Sequence, residues 1–136
     1  MSAFLREAVI TPAEGCDLWT LVGPVIYRSD LLGTTVMVPA GFIYDGNSIP
    51  QWLRALPIVG YFLKDKIAYP GAAALHDYGY RYAVWPRATT DALYREALGV
   101  EGASAMRRAA RFFGVRAGGW KAWRDHRKAD HVEAAW

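Results

Sequence analysis

The apolar positions of this chain change their rhythm near its middle. From Leu18 to Tyr44 they come in short bursts rich in β-branched and aromatic residues: Leu18–Val22, Val25–Tyr27, Thr34–Val38 and Gly41–Tyr44. Gly23-Pro24, Ser29-Asp30, Leu32-Gly33 and Pro39-Ala40 separate them, and these pairs punctuate strands. The pattern predicts a small antiparallel meander or a pair of hairpins. After Pro50 the spacing becomes helical. Trp52, Leu53 and Leu56 share one face of a short helix that Pro57 and Gly60 interrupt. A second helix starts at Pro70, since proline is tolerated in a first turn, and runs through Ala72-Ala73-Ala74-Leu75-His76-Asp77 to Tyr80, ending before Pro86. Arg87-Ala88-Thr89-Thr90-Asp91 resembles a helix start in which a threonine caps free amides and Asp91 meets the positive end of the dipole. Leu93, Tyr94, Ala97 and Leu98 give that helix its apolar face. A longer helix is expected from Ala103 to about Val115, broken by Gly118-Gly119 before Trp120 and Trp123.

These elements describe an α+β protein: a strand-rich part over 1–48, a helical part over 49–124 and a polar tail over 125–136. At 136 residues they fit a single domain. The apolar share of 53% against 21% charged residues excludes a disordered chain. Cys16 stands alone, which excludes an internal disulfide and any cysteine-rich zinc site. No apolar run reaches the roughly 18 residues that span a bilayer, and no signal peptide is expected. Net charge is +3, unevenly spread: from Glu101 onward eight Lys or Arg face four acids. A basic C-terminal third suits an anionic lipid surface, nucleic acid or an acidic partner.

Candidate chemistry falls in three segments. His76 and Tyr80, four apart on a helix, share a face, and the adjacent Asp77 points about 100° away. An imidazole facing a cleft can act as general base on water while the carboxylate holds a hard cation. Alternatively His76 is a core histidine and Asp77 pairs with an arginine such as Arg81. The second segment, Asp45-Gly46-Asn47-Ser48-Ile49-Pro50, is a turn in which Asp45 and Asn47 offer the oxygens that calcium selects, or in which Asp45 or Ser48 caps the following helix. The third is Asp91, placed either to fix the tautomer of His76 or to serve the helix dipole. His126 and His131, five apart, share no helical face and read as parts of a solvated tail. Cys16 has no neighbouring base. There is no phosphate-binding glycine loop.

Taken together, Gly41-Phe42 with Asp45, Ser48 and Pro50, then Leu75-His76-Asp77-Tyr78 with Tyr80, Asp91 before an apolar helix, and Gly118-Gly119-Trp120 resemble a family of small tailed-phage and prophage proteins classified as a domain of unknown function. That resemblance implies a virion or tail-associated protein, assembled in the host cytoplasm among other phage proteins. The same segments are more weakly similar to phospholipases of the A2 type, including the compact ones carried in parvovirus capsids. This similarity implies His76 as general base, Asp77 as calcium ligand with Asp45 and Asn47 in the loop, and Asp91 with Tyr80 supporting the imidazole. The expected function is a phage tail protein with a calcium-dependent, phospholipase-like hydrolase site. A non-enzymatic tail or baseplate component with a structural His-Asp network is the alternative, and a nucleic-acid-binding accessory protein is a further one.

Overall fold

The computed structural model describes residues 1–13, 18–45, 55–57 and 68–134. The short helix expected around Trp52 and Leu53, the loop residues Gly46, Asn47, Ser48 and Pro50, and Cys16 lie outside the described residues.

The architecture is α+β, with two small antiparallel sheets ahead of three helices. The strands are β1 (Ala3–Arg6), β2 (Ile10–Pro12), β3 (Trp19–Leu21), β4 (Val25–Ser29), β5 (Thr34–Val38) and β6 (Ile43–Tyr44). One sheet has the order β1-β4-β5 and the other β2-β3-β6. The four expected strands are present, but they do not form a sequential meander. Gly23-Pro24 turns the chain out of one sheet and into the other. β4 and β5 close a hairpin in which Val25 pairs with Val38 and Ser29 with Thr34, while β6 returns to β3 through Trp19–Tyr44. β4 buries Val25, Tyr27 and Ser29 and exposes Arg28, the alternation of a strand with one covered face.

The helices are α1 (Pro70–Tyr82), α2 (Arg87–Val100) and α3 (Ala105–Ala134). α1 has Pro70 in its first turn and buries Gly71 through His76, so small residues let its neighbours approach on nearly all sides. No side chain caps it from within the helix start. Instead the Glu101 carboxylate, just beyond α2, accepts hydrogen bonds from the Gly71 and Ala72 amides, each at 2.9 Å, which satisfies two orphan donors. At the other end Arg127 of α3 donates to the Tyr80 and Arg81 carbonyls at 2.8 and 2.7 Å, a cation at the negative pole. α1 and α2 touch at Gly79, where a Cβ would stand 2.6 Å from the Thr90 γ-methyl.

Two helix expectations are corrected. Neither Thr89 nor Thr90 caps α2; the residue before the helix is Pro86, and Thr90 Oγ1 donates back to the Pro86 carbonyl at 3.2 Å. Gly118-Gly119 does not end the third helix, which runs on to Ala134. Glycine within a helix costs roughly 1 kcal/mol, and here the gap at Gly119 receives a tyrosine.

Sheets and helices share one core: Leu21, Val25, Tyr27 and Val38 from the strands, Ala72 to Leu75 from α1, and Leu93, Tyr94, Ala97 and Leu98 from α2. Glu96 of α2 fastens the two layers. Its carboxylate accepts from Tyr27 Oη and Ser29 Oγ at 2.8 Å each and from the Leu31 amide at 2.9 Å. Replacing Glu96 with alanine is expected to cost about 1–3 kcal/mol, because Ser29 and Tyr27 lose a partner below the surface. Urea unfolding with an unchanged slope would report it.

Candidate active site

The site lies where α1, α2 and α3 converge beside the end of β6. Asp91 occupies its centre. It is on the face of α2 turned to α1, fully buried, and both its oxygens are used. Oδ1 is 2.8 Å from His76 Nε2 and accepts from Tyr80 Oη at 2.7 Å. Oδ2 accepts from Arg116 of α3 at 2.8 Å and has Arg87 at 3.6 Å. So Asp91 meets His76, as expected of a tautomer-fixing carboxylate, and does not serve the first turn of α2, which holds no acid. Burial would raise its carboxyl pKa, but His76, Tyr80 and Arg116 outweigh burial and hold it below its ordinary value.

His76 is buried by its surroundings yet forms part of the wall of a cavity of about 520 Å³. With Nε2 committed to Asp91, the other ring nitrogen, Nδ1, is left on the Asp77 side, 3.6 Å from Asp77 Oδ1, beyond hydrogen-bonding distance. Burial alone would lower the imidazole pKa, but Asp77 and Asp91 more than reverse this and raise it above the usual value. Tyr80 stacks at 4.2 Å between ring centroids, and Tyr94 at 4.7 Å, so the imidazole is packed as well as bonded.

Asp77 also lines the cavity, as does Asp45 at the end of β6. Burial pushes the Asp77 carboxyl up to about 8; His76 opposes that, while the charge of Asp45 and a hydrogen bond to it push further upward. Asp77 is thus the poorly solvated carboxyl of the two, and Asp45 stands beside it at the exposed rim of the cavity. The donor chemistry fits calcium, which takes oxygen ligands and fills its shell with carbonyls and water. Asn47 lies outside the described residues, and among the described residues no group of three or more His, Cys, Asp or Glu gathers into a metal site.

Gly119 faces Tyr80. A Cβ there would stand 2.5 Å from Tyr80 Oη, so the glycine that reads as a helix breaker gives the tyrosine room to reach Asp91. Gly119→Ala is expected to lower stability by about 1–3 kcal/mol and to weaken the Tyr80–Asp91 contact. A thermal melt and a shifted His76 ring signal would register both effects.

Three residues of this site escape a reading of the sequence. Nothing in the sequence marks Arg116 or Arg87 for the site, but Arg116 pairs with Asp91, and Arg87 donates to Tyr80 Oη at 3.3 Å and to the Val115 carbonyl at 3.1 Å. His126, expected in a solvated tail, sits on helical α3 and lines the cavity, where burial keeps its pKa low. Its spacing from Val115, Gly118, Gly119 and Ala122, at one helical face, is the signal that could have found it. Arg81 does not pair with Asp77; it bonds Asp130 at 2.7 Å.

Among the described residues, no helix is long and apolar enough to cross a membrane. No curated protein and no solved structure matches the chain. The signature of a family described as proteins of unknown function (DUF1353) matches residues 19–115, which takes in β3 to β6, α1, α2 and the first part of α3 and leaves β1 and β2 outside.

Proposed function

Because the chain belongs to the DUF1353 family, whose description assigns no activity, we propose a function from the site itself: ester hydrolysis with His76 as general base. The observation that carries this reading is the division of the imidazole. Nε2 is held by a fully buried carboxylate, and Nδ1 faces the cavity-lining Asp77 at 3.6 Å. A carboxylate behind a histidine fixes its tautomer and stabilises the imidazolium that forms when water loses its proton. Tyr80 and Arg116 keep Asp91 in place, so the ring cannot rotate away. Asp77 and Asp45 are the residues that would hold calcium, which when bound polarises the ester carbonyl. The apolar cavity walls, including Phe42, Ile43 and Val115, suit an acyl chain. In this reading the site works as an A2-type phospholipase does, and the resemblance of the sequence to phage proteins supports a virion or tail enzyme acting on the host envelope.

The test is hydrolysis of anionic phospholipid vesicles by the purified chain with calcium or with chelator. Calcium-dependent release of fatty acid supports the proposal. No turnover with any divalent cation leaves the polar network as a structural device in a tail or baseplate component.

The pH profile has a definite sign. A histidine pKa raised by Asp77 and Asp91 means that the neutral, basic form appears only above the ordinary histidine range. Activity therefore rises with pH. Positive charge at Asp45 and Asp77 stabilises the neutral imidazole, so saturating calcium moves the rising limb of kcat/KM to lower pH. A profile that falls across the same range would contradict His76 as the base.

A further inference from the structure

α3 carries an apolar row that the domain itself does not cover. Met106, Phe113 and Trp120 are 62%, 55% and 52% exposed. They stand seven apart, so on a helix they form a nearly straight seam of about 21 Å. Their neighbours in sequence behave differently: Phe112 lies under Arg95, and Trp123 packs edge-on against Tyr80. Exposed Ala109 and half-buried Ala117 fill the intervals with small side chains.

The row is symmetric about its middle. A two-fold axis beside Phe113 would bring Phe113 against its own copy, Met106 against Trp120 and Ala109 against Ala117. Self-complementarity of this kind is what a two-fold interface requires, and a seven-residue repeat is the spacing at which two helices keep a seam in contact. Charge selects the direction. On the seam side, Lys121, Arg124 and Lys128 all lie in the C-terminal half, and among the described residues that side carries no acid. Parallel copies would set these cations against one another. Antiparallel copies set each group beyond the partner's Met106, with Arg124 level with position 102, next to Glu101 and the negative end of α2.

We propose that α3 pairs antiparallel with α3 of a second copy, Phe113 sitting at the two-fold axis. The pairing is independent of the hydrolase reading. The experiment combines sedimentation with cysteine cross-linking in a Cys16→Ser background. The wild-type chain should sediment as a dimer. Phe113→Glu, which puts two like charges together at the axis, should weaken association by at least about a hundredfold while melting at the wild-type temperature when both proteins are diluted to monomers. On oxidation Phe113→Cys should form a disulfide-linked dimer, and Met106→Cys should link to Trp120→Cys but not to itself. A monomer at all concentrations, a dimer indifferent to Phe113→Glu, or self-linkage of Met106→Cys and of Trp120→Cys would overturn the proposal. So would a monomer that binds anionic vesicles through this row.

Discussion

Replacing Asp91 with alanine is expected to destabilise the protein by about 3–5 kcal/mol, the range for removing one partner of a buried charged network. His76, Tyr80 and Arg116 all donate to this one carboxylate, which has no exposed surface. Its loss would leave the buried His76 ring and Tyr80 hydroxyl without their shared acceptor, whereas Arg116, whose side chain keeps 37% exposure, can turn to water. Asp91→Asn should cost less, since an amide oxygen can still accept from Tyr80, but it cannot match the charge of Arg116. The sign with pH follows from the depressed carboxyl pKa. The unfolded chain binds a proton at about 3.8, the folded one only below that. The stabilisation is therefore complete above the unfolded value and is lost as pH falls through the folded one. Wild type should lose stability steeply in acid, and Asp91→Ala should show a flatter acid limb. Equal slopes for the two proteins would contradict the assignment.

The second large effect is on catalysis. His76→Gln keeps a nitrogen able to donate to Asp91 but has no basic atom. The fold should survive at a cost of about 1–2 kcal/mol, the price of exchanging a hydrogen bond in place, while hydrolysis falls by at least about 10²–10⁴-fold, the usual contribution of a positioned general base. His76→Ala would confound the two, because it also empties a space packed against Tyr80 and Tyr94. Retention of activity in His76→Gln would remove the imidazole from the mechanism. A loss of activity together with a collapse in melting temperature would instead point to a structural histidine.

The sequence is most legible where local chemistry and packing agree. Pro70 marks α1 because its missing amide donor costs nothing in a first turn, and the strands around Val25 and Val36 follow their β-branched bursts. The His76–Asp91 contact is legible as well, since both residues occur on short helices joined by a tight connection. Elsewhere long-range contacts override local preference. β1 and β2 are too short to stand out, and β1 is held by Phe4 packing on Tyr27 at 4.7 Å. Thr90 is a good cap by type but is drawn inward by Gly79. Gly119 weakens a helix locally, yet the Tyr80 hydroxyl needs the space it leaves. Arg116 and Arg127 are indistinguishable in sequence from solvated arginines; what separates them is the buried carboxylate and the helix end that they meet.

A nitrogen-15 NMR titration of the His76 imidazole with and without calcium tests the site most directly. The neutral form is expected to be protonated at Nε2, towards Asp91, with Nδ1 taking up the titrating proton at a pKa above the ordinary histidine value. Calcium should lower that pKa, with no such shift in Asp77→Asn. A neutral form protonated at Nδ1, or a titration indifferent to calcium, would contradict a histidine held by Asp91 and presented as a base beside a cation site.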